Sequence, residues 1–302
     1  MAENFFGITD TGRQRDNNED AFIAQAILNR QYILACVIDG VGGYEGGEVA
    51  AAIAKESIFS SFKSPPADMI TTMRQAFVAA NERIYKEKLE SSANNSMACV
   101  ATLALVDVKN NKFWYAHVGD TRLYLFRDHS LIKITKDQSF VGFLEDSGRL
   151  TEEEAMKHPK RNEINKALGF ETSSILGSDY IETGESPFLP GDSLLLCSDG
   201  LTDMVGSKEI ASVLETNIPL EQKARELVAV ANRAGGKDNI TVVLVQNNKK
   251  PIKQEVKKPV LVKRRDTERA EVPASPPVPA GPGTGEIKRR SNTGVIVLLS
   301  IL

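Results

Sequence analysis

The sequence predicts an α+β fold in which helices layer onto sheet. Three observations point there: the strand-like runs are too numerous for a helical bundle, two long helical patterns follow one another directly, and many strands are consecutive, which argues against a βαβ alternation. The strand-like runs are Phe5 to Thr9, Ala21 to Ala26, Tyr32 to Ile38, Ala101 to Val108, Lys112 to Val118, Leu123 to Phe126, Leu131 to Thr135, Ser193 to Ser198 and Ile240 to Gln246. Helical periodicity marks Glu48 to Phe62, Leu220 to Ala234, and Asp68 to Leu89, where Met69, Met73, Phe77, Ala80 and Ile84 share one face. Each of these helices is amphipathic and would cover a sheet. Lys109-Asn110-Asn111 and Asp128-His129-Ser130 have the composition of hairpin turns. Residues 139–178 carry little strand signal and one short helical pattern, Thr151 to Lys157, so they read as an inserted flap.

The 302 residues suffice for a substantial core. Charge is unevenly placed: residues 248–302 hold 12 Lys/Arg and 5 Asp/Glu, a net of +7, so the whole-chain charge of −3 leaves −10 for residues 1–247. An acidic body of this kind is not expected to bind nucleic acid. Seven of the 13 prolines lie in the basic tail, and such a stretch buries too little apolar surface to offset its ordering entropy. The expected organisation is a folded domain over 1–247, monomeric and, since Met1 to Phe5 do not open a secretory signal, cytoplasmic, and a flexible linker over 248–293. The apolar terminus 294–302 follows Lys288-Arg289-Arg290 and has the character of the start of a membrane-spanning helix, though a span needs about 20 apolar residues. Cys36, Cys99 and Cys197 each sit inside an apolar run without Cys-x-x-Cys spacing, which predicts reduced core thiols and neither a zinc site nor a redox pair.

Chemistry enters where apolar runs end in aspartate: Leu34 to Ile38 leads into Asp39-Gly40, His117-Val118 into Gly119-Asp120, and Leu194 to Ser198 into Asp199-Gly200. A fourth acid, Asp238, precedes the run Ile240 to Val245. Carboxylates grouped without histidine or thiolate suit hard, oxygen-loving cations such as Mg²⁺ or Mn²⁺, which points to a two-metal hydrolase acting on a phosphoryl group.

The stretches Arg15-Asp16-Asn17-Asn18-Glu19-Asp20, Asp39-Gly40-Val41-Gly42-Gly43, Gly119-Asp120-Thr121-Arg122, Ser198-Asp199-Gly200-Leu201-Thr202-Asp203 and Asp238-Asn239 occur in an order and spacing that resembles the metal-dependent PP2C-type (PPM) serine/threonine protein phosphatases of bacterial type. Singly, Asp-Gly dipeptides are common turns; together these stretches spread over residues 7–246. The resemblance implies a central antiparallel β-sandwich flanked by α-helices on both faces. It further implies two Mn²⁺ or Mg²⁺ ions held by Asp39, Asp199 and Asp238 with the Gly40 carbonyl, and by Glu19 through water. Asp120 and Asp203 match residues that bind a third, weaker metal, Arg15 the phosphate-binding arginine, and Asp20 a support of the metal-site loop, with Asn239 beside Asp238. The implied partners are phosphoserine and phosphothreonine proteins and a cognate Ser/Thr kinase.

Three departures stand out. Val41 occupies the place of a histidine proposed as general acid in eukaryotic relatives, so the leaving oxygen must take its proton from bound water or another group. Ala98, Cys99 and Val100 replace the usual Gly-Thr-Thr, which is expected to alter packing only. Gln138, in Asp137-Gln138-Ser139, stands where many relatives carry histidine, leaving the anchoring of the flap open.

Rival readings are weaker. The glycines at 40, 42, 43, 46 and 47 do not follow the dinucleotide-binding spacing, and no Walker A pattern occurs. A non-catalytic binding module is expected to lack a metal aspartate or the arginine, and here Arg15, Glu19, Asp39, Asp199 and Asp238 are all present. The proline-rich tail is more readily a linker than a ligand of an SH3-like partner. The basic residues Lys157, Lys160, Arg161 and Lys166 of the flap are candidates to attract phosphopeptides, although a solvated basic face is the commoner meaning of such residues.

Overall fold

The structure is a computed structural model that describes residues 4–42, 46–90, 96–175, 177 and 179–250. Its elements in chain order are β1 (Phe5–Asp10), β2 (Asp20–Ile27), β3 (Tyr32–Val41), α1 (Gly46–Ser61), α2 (Met69–Glu90), β4 (Ala98–Asp107), β5 (Lys112–Val118), β6 (Arg122–Arg127), β7 (Ser130–Lys133), α3 (Phe140–Asp146), α4 (Glu152–Met156), α5 (Thr172–Ile175), β8 (Glu182–Pro187), β9 (Ser193–Cys197), α6 (Asp199–Thr202), α7 (Ser207–Glu215), α8 (Leu220–Arg233) and β10 (Ile240–Gln246). Two five-stranded sheets result, ordered β1-β10-β9-β6-β7 and β2-β3-β4-β5-β8, and every pairing within them is antiparallel.

Alternation along the strands sorts the core into three apolar layers. In β3, Leu34, Cys36 and Ile38 join Ala50, Ala54, Ile58, Met73, Phe77, Ala80 and Ile84 of α1 and α2 on the outer face. The intervening Ile33, Ala35 and Val37 face the other sheet, where they meet Leu123, Leu125, Leu194, Leu196, Val243 and Val245. Phe113 and Phe188 meet edge to face in that middle layer, with ring centroids 6.2 Å apart. On the far side, Leu195, Cys197, Val242 and Leu244 pack against Leu201, Ile210, Leu214, Leu227 and Ala231 of α6, α7 and α8. Period two in the strands and 3.6 in the helices thus suffice to specify helix, sheet, sheet, helix, and each fully buried Leu or Ile contributes about 1.5–3 kcal/mol.

The expected sandwich with flanking helices is therefore present, and the expected strands and long helices stand with their ends shifted by a few residues. All three cysteines are buried and free. Strand β8 and the short helices α3, α5, α6 and α7 are not among the elements expected from the sequence. Strand β8, Glu-Thr-Gly-Glu-Ser-Pro, is polar because it is an edge strand paired on one side only, with β5. Helix α7 has only nine residues and buries only Ile210, Val213 and Leu214. The flap holds α3, α4 and α5, with α4 closed by a capping box between Thr151 and Glu154.

Among the described residues no helix is long and apolar enough to cross a membrane. The expected linker and apolar terminus lie outside the described residues from 251 onward.

Candidate functional site

The chain ends its central strands at one edge of the sandwich, and acids collect there. Asp39 is the eighth residue of β3, opposite Asp20 on β2 and Val100 on β4. Asp120 follows β5 after the left-handed Gly119, φ +106°. Asp199 follows β9 by one residue and opens α6, so the acid expected at a strand end belongs to the first turn of a short helix. Asp238 precedes β10 by one residue.

Close backbone approach makes the edge compact. A Cβ on Gly40 would stand 2.2 Å from the Gly47 carbonyl oxygen and 2.6 Å from that of Glu19, so only glycine lets the end of β3, the start of α1 and the loop before β2 meet. Asn239 then ties down the loop that carries Arg15 and Glu19. Its Oδ1 accepts from the Glu19 amide at 2.8 Å, and its Nδ2 donates to the carbonyls of Thr11 at 3.0 Å and Asn17 at 2.9 Å.

The resulting cleft is lined by Arg15, Asn17, Glu19, Asp39, Gly40, Val41, Gly42, Val100, Asp120, Asn162, Ile164, Asp199, Asp238 and Asn239 and has about 280 Å³ of room for water-sized groups. Eight of the ten residues singled out in the sequence thus share one cleft. The remaining two stand beside it. Asp20 lies behind the edge, where Ser198 Oγ donates to its Oδ2 at 2.8 Å and Thr241 Oγ1 at 2.6 Å, so it joins β2 to the ends of β9 and β10. Asp203 lines an adjoining small cavity together with Asp120 and Asp199, and accepts from Arg161 Nε at 2.7 Å.

Electrostatically the edge is overloaded with negative charge. Loss of hydration, reinforced by Asp20, Asp199, Asp120 and Asp238, holds the Asp39 carboxyl well above the usual carboxylate range. Asp199 is raised in the same way, by burial first and then by Asp120, Asp203 and Asp238. Burial also lifts Asp20 to about 6, against the pull of its two hydroxyl donors, and Asp120 to about 7, with Asp137 and Asp203 adding repulsion. Glu19 is raised mainly by burial, and its Oε1 is buried without a hydrogen-bond partner. Arg15, the only arginine lining this cleft among the described residues, places Nη2 2.6 Å from Asp238 Oδ2.

These features fit a divalent cation. The donors are all oxygen, their shared repulsion is what a positive ion relieves, and the stranded Glu19 oxygen has a place for a ligand or its water to fill. Among the described residues no three carboxylate, imidazole or thiolate groups converge closely enough to hold an ion by themselves.

One expectation needs correction. Val100 does more than alter packing: it lines the cleft, and its Cγ1 occupies the space where a Cβ on Gly119 would stand, 2.1 Å away. The basic flap residues fit the commoner reading of a solvated face: Lys157 pairs with Glu153 and Lys160 with Glu163 at the exposed surface, Arg161 pairs with Asp203, and Lys166 donates to the Asp179 carbonyl. The residues that the sequence did not single out are Asn17, Asn162 and Ile164 of the cleft, and Arg122 beside it, which is clamped by Asp137 and Glu145 at 2.6 and 2.8 Å. No local pattern marks Asn162 and Ile164; they reach the cleft only because the flap folds over it.

Comparison with known proteins agrees with this geometry. The family model described as protein phosphatase 2C matches residues 11–244. The serine/threonine phosphatase stp of Listeria monocytogenes is 35% identical over 245 residues, covering 80% of this chain and 94% of its own length. The crystal structure of the Mycobacterium tuberculosis serine/threonine phosphatase PstP/Ppp superposes with a TM-score of 0.70 at 34% identity, over 80% of this chain and 97% of that one. The catalytic domain of the serine threonine protein phosphatase PstP in complex with two manganese ions superposes with a TM-score of 0.69 at 32% identity, over 80% of this chain and 96% of that one. The sandwich, the acidic cleft at its edge and the family pattern over nearly the whole described body together show that the chain belongs to the protein phosphatase 2C family.

Proposed function

We propose that this chain hydrolyses phosphoserine and phosphothreonine on proteins by direct attack of water, with Asp39, Asp199, Asp238 and the Gly40 carbonyl holding two divalent cations and Glu19 reaching them through water. The observation that carries the proposal is the convergence of those acids, from four separate chain segments, with one arginine in a single cleft. Two cations bound there would lower the pKa of the attacking water and offset charge on the phosphoryl oxygens. Arg15, fixed by Asp238 and half-exposed to the cleft, presents a planar fork to two phosphate oxygens. Asn239 keeps that arginine's loop in place. Val41 is 38% exposed at the cleft and has no proton to give, so the leaving oxygen takes its proton from water in the cleft.

Asp120 and Asp203 are proposed to hold a third, weaker ion, because both border the small cavity that adjoins Asp199. Mn²⁺ is the first ion to try, since a PstP relative binds two manganese ions. A cognate Ser/Thr kinase, a cytoplasmic setting and phosphoprotein substrates follow from the same reading.

The test is phosphate release from a phosphothreonine peptide by the full chain with Mn²⁺, Mg²⁺ or EDTA. Release that needs the metal and disappears in Asp39→Asn and Asp199→Asn is expected. A folded, metal-loaded chain that releases nothing from several phosphopeptides would favour a binding module.

A further inference from the structure

The flap leaves the sandwich at Ser139, and after its last short helix the chain re-enters at Tyr180, ahead of β8. Both ends meet at Gln138. The Gln138 amide N–H donates to the Gly119 carbonyl at 2.6 Å, and the Gly119 N–H donates back to Gln138 Oε1 at 3.0 Å. The other half of the same side chain, Nε2, donates to the Tyr180 carbonyl at 3.2 Å, and the Gln138 carbonyl accepts from the Asn165 N–H at 2.8 Å. Around this junction the flap is fastened to itself and to β4. Tyr180 Oη donates to the Ala167 carbonyl at 2.7 Å, Ser139 bridges Ile164, and Leu168 exchanges backbone hydrogen bonds of 2.8 and 3.0 Å with Cys99.

Two walls of the cleft therefore hang on one residue. Gly119 precedes Asp120, which stands on the acidic wall, and Asn165 follows Ile164, which with Asn162 forms the flap wall. We propose that Gln138 is a positioning residue that fixes the flap wall Asn162–Ile164 at a set distance from Asp120, and so shapes the opening through which a phosphopeptide enters.

The chemistry of the side chain supports this. An amide carries an acceptor and a donor on one planar group, and both are used here, the acceptor on the Gly119 N–H beside the acidic wall and the donor on the Tyr180 carbonyl where the flap returns. A glutamate keeps the acceptor for Gly119 but has no N–H for Tyr180; methionine of similar length has neither. The two arms can thus be cut separately.

The proposal rests on the reading of the cleft as a phosphoester site, and the experiment separates the two. Hydrogen exchange of the full chain would be followed residue by residue for wild type, Gln138→Glu and Gln138→Met, beside Mn²⁺-supported hydrolysis of p-nitrophenyl phosphate and of a phosphothreonine peptide. In Q138E, exchange is expected to rise about tenfold at Ala167, whose N–H donates to Tyr180 Oη at 3.2 Å, with Gly119 still protected; in Q138M both sites open, as loss of one hydrogen bond or of both requires. KM for the peptide should rise several-fold more than KM for p-nitrophenyl phosphate, since only the peptide is large enough to meet the flap wall. Unchanged exchange in Q138M, or a uniform rise across the whole domain, would overturn the junction, and so would equal changes in KM for both substrates. A wild type inactive on both substrates would instead sink the phosphatase reading and leave exchange alone to decide the junction.

Discussion

Asp20 and Asp39 stand directly opposite each other on β2 and β3. Like charges in that position destabilise an antiparallel pair, and the sequence answers the repulsion unequally. The hydroxyls of Ser198 and Thr241 go to Asp20, while Asp39 faces the cleft among Asp120, Asp199 and Asp238. One acid is thereby braced by the protein, and the other is left for a cation to stabilise.

Stability in the absence of metal should therefore fall as pH rises. An acid that titrates higher in the folded than in the unfolded chain holds its proton preferentially in the folded state, so raising the pH through that window removes stability. The window runs from the ordinary carboxylate value near 4 up to about 6 for Asp20 and about 7 for Asp120. In EDTA, Tm at pH 5 should exceed Tm at pH 7.5, by an amount reflecting a few kcal/mol in total. Added Mn²⁺ should reverse the trend, because the ion binds only ionised acids. A flat profile in EDTA would show that the cluster is hydrated and its repulsion screened.

Replacing one charge without changing shape separates function from stability. Asp39→Asn removes a carboxylate from a crowd of its own kind, so the metal-free variant should melt higher than wild type by several degrees, on the order of 1 kcal/mol. The same variant should lose about a hundredfold or more in Mn²⁺-supported phosphopeptide hydrolysis. Differential scanning calorimetry in EDTA and a phosphate-release assay would check the two halves; a lower Tm would mean that Asp39 is satisfied by the fold itself.

Much of this architecture was legible because its signals are periodic or punctuated. Continuous apolar runs, buried on both faces, located the strands Tyr32 to Ile38 and Ile240 to Gln246, and the 3.6 period located Met73, Phe77, Ala80 and Ile84, all fully buried. Asp39, Asp120 and Asp199 were legible because each follows an apolar run and Asp238 because it precedes one, whereas Glu19, Asp20 and Asp203 were legible only through the family resemblance. Strand β8 was not, because an edge strand with a polar face carries no alternation, and neither were Asn162 and Ile164, whose place depends on long-range folding of the flap. The flap lysines are a milder case: Glu153 and Glu163 stand four and three residues from Lys157 and Lys160, so their surface pairing follows from helical and turn spacing alone.

Arg15 should act on substrate binding through its shape as well as its charge. Its Nη2 is committed to Asp238 at 2.6 Å, which leaves the rest of the guanidinium to meet phosphate. Arg15→Lys keeps the charge but cannot hold the acid and two phosphate oxygens at once. KM for a phosphothreonine peptide should rise about tenfold in R15K and more in Arg15→Ala, at the scale of one to two charge-assisted hydrogen bonds. Equal kinetics for R15K and wild type would show that charge alone is used.

The backbone crossing at Gly40 gives the sharpest structural test. Any side chain there would point into the Gly47 and Glu19 carbonyls, at 2.2 and 2.6 Å from Cβ, and both are backbone atoms that cannot turn aside. The end of β3 would have to lift from the start of α1, carrying Asp39 and Glu19 with it. Gly40→Ala should destabilise the fold by about 1–3 kcal/mol, the usual penalty of overpacking, and weaken Mn²⁺ binding measured by calorimetry. Gly177→Ala is the control, since among the described residues no atom lies within 4 Å of the added carbon, and a surface change of that kind stays within about 0.5 kcal/mol. If G40A bound Mn²⁺ and melted like wild type, the close approach of β3 and α1 would not be what sets the metal-facing edge.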